Sequence, residues 1–172
     1  FRIHPLLVIN DHGTPLGILD ALNYTRSSKQ NGSKGRNSLP IEEKESYRWL
    51  QGFREACKLK EQLPNVTVVS IADREGDIYE CILEAQAAEI GNKAHILVRS
   101  NHNRCLKEND PTTNKLEKKL IRSRVIYEAQ LKLNQHRSNE RVASLAIRAT
   151  TVTLKAPATC LKKTLSPVKI NA

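Results

Sequence analysis

The sequence predicts an α/β core followed by a separate, basic antiparallel β region. Three observations carry that reading. A continuous β-branched run, Val66 to Ala72, lies between two stretches of helical spacing; a second short apolar run, His95 to Val98, follows the later stretch; and beyond residue 120 apolar and polar side chains alternate. The core is assigned to residues 1–100 and the β region to residues 101–172.

Ile3 to Ile9 and Leu16 to Tyr24 are apolar and β-prone, and the intervening Asn10-Asp11-His12-Gly13 tolerates positive φ, so the chain is expected to open with a β-hairpin. Residues 26–38, rich in Ser, Lys, Asn, Gly and Arg without apolar periodicity, read as a surface loop. Pro40 suits a first helical turn, and Glu42, Glu43 and Glu45 suit the positive end of a helix dipole, which places a helix over Ile41 to Gln62. Its face of Trp49, Leu50, Phe53, Ala56, Cys57 and Lys60 is expected to pack on a sheet.

Leu63-Pro64-Asn65 ends that helix. The run Val66 to Ala72 then has the composition of a strand buried on both faces, and it stops at Asp73. Asp77 to Ile90 has helical spacing, Gly91-Asn92 closes it, and His95 to Val98 forms the next strand. Residues 100–120 are polar and read as irregular, whereas Val125 to Leu133 and Val142 to Leu154 alternate as strands with one wet face do. Val168 to Ala172 resembles the opening of a further strand; with no methionine and a strand-like start at Phe1, the expectation is an internal piece of a longer protein.

Charge also divides the chain, between residues 92 and 93. Residues 1–92 hold 11 basic and 13 acidic side chains, whereas residues 93–172 hold 17 basic and 5 acidic ones, so the second half carries the surplus of +12. That footprint favours a polyanion such as DNA, although a solvated basic surface would look the same. The four cysteines are far apart with no C-x-x-C pair, and they read as structural thiols. No apolar run approaches the roughly 20 residues a membrane-spanning helix requires, and no leader pattern opens the chain, so a cytoplasmic protein is expected.

An aspartate directly after a strand and before a helix lies at the carboxyl edge of a sheet, where open α/β proteins bind ligands. Asp73, with Arg74, Glu75 and Asp77, forms an acidic knot suited to a hard cation such as Mg²⁺, which prefers carboxylate oxygens. The bland alternative is that Asp73 caps the following helix while Glu75 and Asp77 complement its dipole.

Longer strings tip the balance. Asp73-Arg74-Glu75-Gly76-Asp77-Ile78 resembles the D-R-E-x-D-I motif around the second acidic residue of bacterial DD(E/D) insertion-sequence transposases. Glu43-Lys44-Glu45-Ser46 with Trp49-Leu50 is similar to the E-K-E-S-x-x-W-L stretch before it, and Leu97-Val98-Arg99-Ser100 with His102 and Arg104 to the V-V-R-S-x-H-x-R stretch after it. The three occur in family order; the likeness is strongest over residues 42–104 and only textural in the basic β region. Glycine at position 76, where the family often has alanine, reads as a minor departure.

The resemblance implies a ribonuclease-H-like fold, a mixed sheet flanked by helices, with an inserted β region. It implies three carboxylates holding two Mg²⁺ ions for in-line attack on a DNA phosphodiester, by a parent enzyme that acts as a dimer on double-stranded transposon ends. Asp73 would be the catalytic, metal-binding second carboxylate, and Arg99, His102 and Arg104 would contact DNA phosphates. The first and third carboxylates match nothing here: no strand precedes the hairpin, no Y-x-x-R-x-x-x-E pattern follows, and Asp11 and Asp20 fall at positions matching no family carboxylate. With one ligand of three the chain is expected to be inactive alone. The competing expectations are a non-enzymatic DNA-binding remnant that inhibits transposition, and an unrelated metal-dependent phosphohydrolase with further carboxylates converging on Asp73.

Overall fold

A computed structural model of the chain describes residues 2–24, 39–87, 93–135, 138–157 and 165–172. The expected surface loop at 26–38 and the helix stop at Gly91-Asn92 lie outside the described residues. The architecture is mixed α/β, and the described residues form three α-helices and four two-stranded sheets.

Strands β1 (Arg2–Ile9) and β2 (Pro15–Tyr24) form the expected antiparallel hairpin. The turn closes because the Asn10 side-chain carbonyl accepts the backbone N–H groups of His12 (3.0 Å) and Thr14 (2.8 Å), while Gly13 takes a φ of 80°. A side chain at Gly13 would be strained there.

Helix α1 (Tyr47–Gln62) begins later than its sequence suggests. Ile41–Glu43 form a separate 3₁₀ turn, and no acidic residue stands in the first turn of α1, so the dipole argument for Glu42, Glu43 and Glu45 fails. The apolar face is as expected. Leu50 packs with Ile41 and Cys81, while Phe53 and Ala56 pack with Ala94, and Ile96 joins both groups. Lys60, on the same helix, turns its ammonium to the carbonyls of Pro64 (2.7 Å) and Val66 (2.9 Å), tying down the connection to the next strand.

Strands β3 (Val69–Ala72) and β4 (His95–Val98) are parallel, in the register Val69 to His95 through Ala72 to Val98, with helix α2 (Tyr79–Gln86) between them in sequence. Parallel pairing needs such a crossover, because a tight turn cannot reverse the chain twice. The expectation that the first of these strands is buried on both faces is wrong. Val69 and Ile71 remain 44% and 64% exposed, because helices cover one face only and Leu97 on the adjacent strand is equally open.

These elements belong to one compact unit, Phe1–His102 with Ala156–Ser166; the second comprises Asn103–Lys155 and Pro167–Ala172. In the second unit the segment read as irregular contains helix α3 (Leu116–Arg122). Its start is held by Asn103, which accepts the Glu117 backbone N–H and donates to the Glu117 carboxylate, both at 3.0 Å. Strands β5 (Val125–Gln135) and β6 (Ser138–Arg148) make a long antiparallel hairpin, and β7 (Thr151–Leu154) pairs antiparallel with β8 (Val168–Asn171). Among the described residues the buried core here is Leu106, Leu116, Val152, Leu154 and Val168, none of them from the long hairpin.

Candidate functional site

The β3–β4 pair ends in a way that separates backbone from side chain. The Arg99 N–H donates to the Ala72 carbonyl at 3.0 Å, carrying the parallel ladder one step past the strands. Asp73 and Arg99 are therefore neighbours on one sheet edge, and both side chains are exposed. Asp73 caps a 3₁₀ turn, Arg74–Gly76: its Oδ1 accepts the Glu75 N–H at 2.9 Å. The capping role weighed from the sequence is thus real, though the capped element is a single turn rather than the helix. Because only one carboxylate oxygen is engaged by that bond, the cap leaves lone pairs on the exposed group.

Asp77 has a different fate. It is only 7% exposed, and its Oδ2 accepts the backbone N–H groups of Asn101 (2.7 Å) and His102 (2.9 Å). A buried carboxylate with two amide donors is a clamp on the loop after β4, since charge-assisted hydrogen bonds are the strong ones. Glu75 goes elsewhere again, pairing with Arg48 of α1. The acidic knot expected from the sequence is consequently dispersed, and among the described residues no group of three His, Cys, Asp or Glu side chains converges to hold a metal ion.

A cluster unmarked by the motif reading lies beside this turn. His4 of β1 meets Trp49 edge-on at 4.7 Å between ring centroids, and the Arg48 guanidinium lies 5.8 Å from the Trp49 ring. Burial, and next the Arg48 charge, hold the His4 imidazole below its ordinary range, while the carboxylates of Glu75 and Asp73 pull weakly the other way. Only the strand alternation of β1, which turns His4 inward with Leu6 and Val8, signalled this in the sequence.

Gly76 is not a minor departure. A Cβ placed there would come within 2.4 Å of the Ala72 Cβ, far inside van der Waals contact, and within a tight 3.3 Å of the Trp49 ring. The turn that presents Asp73 fits against strand and indole because position 76 has no side chain.

The remaining expected DNA contacts divide between the units. His102 is exposed, and its carbonyl accepts the Ser100 hydroxyl at 3.1 Å, so with the Asp77 clamp its backbone is fixed on both sides. Arg104 belongs to the second unit, is partly buried, and accepts the Leu116 N–H at its carbonyl. Of the cysteines, burial pushes the Cys81 thiol up to about 12 and raises that of Cys57, which suits inert structural thiols; Cys105 is exposed and does not fit that expectation, and Cys160 lies outside the described residues. No described helix is long and apolar enough to cross a membrane.

No protein-family model matches the chain, and no curated protein or solved structure matches it.

Proposed function

We propose that this chain is part of a DNA transposase whose complete form cleaves and joins DNA strands with Mg²⁺, and that the chain by itself is catalytically inactive. The supporting observation is the placement of Asp73, exposed at the carboxyl end of a parallel strand with the exposed Arg99 one ladder step away. An exposed aspartate and an exposed arginine at neighbouring strand ends suit a phosphodiester bound through a cation: the carboxylate ligates the metal and the planar fork matches phosphate oxygens. Bound Mg²⁺ would supply activation of the attacking oxygen and stabilisation of the leaving one.

The described residues offer a single carboxylate to such an ion, which fits one ligand of a metal pair and not the pair itself. The chain's own part is therefore positional. Asp73 is fixed by the Glu75 N–H and by the tight fit at Gly76, and the loop bearing His102 is fixed by Asp77. Arg99, His102 and Arg104 are proposed to hold phosphates of double-stranded DNA.

A second reading, a DNA-binding remnant that inhibits the complete transposase, is favoured by the +12 surplus of residues 93–172. Both readings share one test. Fluorescence anisotropy with duplex DNA should show affinity falling about tenfold or more between 50 and 200 mM salt, as released counterions demand. Binding that is absent or insensitive to salt would remove both. Nicking assays with Mg²⁺ separate chain from parent: no cleavage is expected, and cleavage abolished by Asp73→Ala would overturn the proposed inactivity. The DNA adjoining the coding segment decides parentage, through an upstream strand ending in aspartate and a downstream Tyr, Arg and Glu helix.

A further inference from the structure

Among the described cysteines Cys105 alone is exposed, whereas Cys57 is half-buried and Cys81 buried. Its Sγ lies 3.1 Å from the Nζ of Lys115. The backbone brings the two together. Cys105 and Lys115 face each other in an antiparallel β-bridge of the second unit. The Leu106 N–H donates to the Asn114 carbonyl at 2.9 Å, and the Leu116 N–H to the Arg104 carbonyl at 3.0 Å. Those bonds flank Cys105 and Lys115 without joining them, so the two form a non-hydrogen-bonded pair. In such a pair the facing side chains project to one side, from Cα atoms only about 4.5 Å apart.

Both residues are also fastened from the other side. The Cys105 carbonyl accepts the Lys155 N–H at 2.8 Å, and the Lys107 N–H donates to the Thr153 carbonyl at 2.9 Å. Between these bonds Leu106 bridges to Leu154 of β7, and both leucines are buried. Lys115 is half-buried and immediately precedes α3, whose first residue, Leu116, is buried in the same core. The thiol is thus open to a small solute, while the amine is kept within reach of the sulfur.

We propose that Cys105 and Lys115 form a reversible redox staple, in which a peroxide oxidises the thiol and the lysine amine then closes a covalent S–N bond. In the first step the sulfur attacks one peroxide oxygen. The O–O bond breaks, sulfur gives up two electrons to become a sulfenic acid, and the departing oxygen leaves as water with the thiol proton. In the second step the neutral Lys115 amine attacks that sulfur. The S–O bond breaks, and the hydroxide leaves as a second water with one amine proton. One peroxide is consumed, two waters form, and the linked chain holds two hydrogens fewer. Coupling is favoured because the nitrogen already stands beside the sulfur, which makes the second step intramolecular between oriented groups. An added thiol reverses it by attacking the sulfur and releasing the amine. The staple closes the segment 105–115 and removes the Lys115 charge at the start of α3.

To test this, the intact chain is treated with a small excess of hydrogen peroxide, digested with trypsin without reductant, and read by mass spectrometry. The expected product joins the Cys105 and Lys115 peptides, is about 2 Da lighter than the two separately, and resists cleavage after Lys115. Dithiothreitol should restore the separate peptides. Lys115→Arg keeps the charge and should yield no joined product, leaving a Cys105 sulfenic acid that dimedone captures. In denaturing urea, where the bridge is lost, the yield of linked product should fall by about tenfold or more. An equal yield in urea would make the link a random encounter and overturn the proposal. So would oxidation of Cys105 without a link, no oxidation, a link to a different lysine, or a linked product that retains oxygen.

Discussion

Helix α1 and the long β5–β6 hairpin contain comparable runs of patterned apolar residues, yet one builds a core and the other does not. Leu50, Phe53 and Ala56 of α1 are buried against Ile41, Cys81 and Ala94. On the hairpin Ile126, Leu131, Val142, Leu145 and Ile147 all stay exposed. Pattern determines which secondary structure forms, whereas burial requires a second surface, and a two-stranded ribbon without one has no inside. Exposed apolar strand surface of this kind marks an interaction site or a tendency to associate.

The largest expected effect tests that contrast directly. Phe53→Ala should lower the stability of the first unit by about 3–5 kcal/mol, while Leu145→Ala on the hairpin should change stability by under about 0.5 kcal/mol. Trp49, the sole tryptophan, reports unfolding of the first unit by fluorescence in urea, and hydrogen exchange at the β7 and β8 amides reports the second; comparable losses for the two variants would show that the hairpin is packed after all.

A sharper form of the comparison uses two carboxylates four residues apart. Asp77→Ala removes the acceptor for two part-buried N–H groups and should cost about 1–3 kcal/mol, with faster hydrogen exchange at Asn101 and His102. Asp73→Ala loses one exposed cap and should cost about 1 kcal/mol or less. If Asp73→Ala were the more damaging, Asp73 would be serving the fold rather than standing free for a ligand.

The smallest effect concerns His4. Its folded pKa lies below the unfolded value, so the unfolded chain binds more protons in the acidic part of the imidazole range. The contribution of His4 to stability is present above the ordinary imidazole pKa and should fade as pH falls through the depressed folded value. An NMR titration of the His4 ring should give a midpoint below that of a free imidazole; a midpoint at or above it would contradict the burial against Trp49.

Much of the fold was legible because it rests on local rules. The Asn10 to Gly13 turn, the helical face of Leu50, Phe53 and Ala56, and the strand stopping at Asp73 each follow from neighbours a few residues away. The start of α1 and helix α3 were not, since a 3₁₀ turn over Ile41–Glu43 and a helix begun by the distant Asn103 depend on contacts outside a short window. At the candidate site the position of Asp73 was legible, while the burial of Asp77 and the turning of Glu75 toward Arg48 were not.

The sequence by itself therefore determined most of the element types of the first unit, the division of charge, and the aspartate at the end of a strand, all properties of local pattern and composition; Val142 to Leu154, read as one strand, is divided between β6 and β7. Only the tertiary structure decided that the carboxylates of Asp73, Glu75 and Asp77 part company and why position 76 must lack a side chain. Those outcomes depend on which surfaces meet, and the free energy of burial is set by partners remote in the chain.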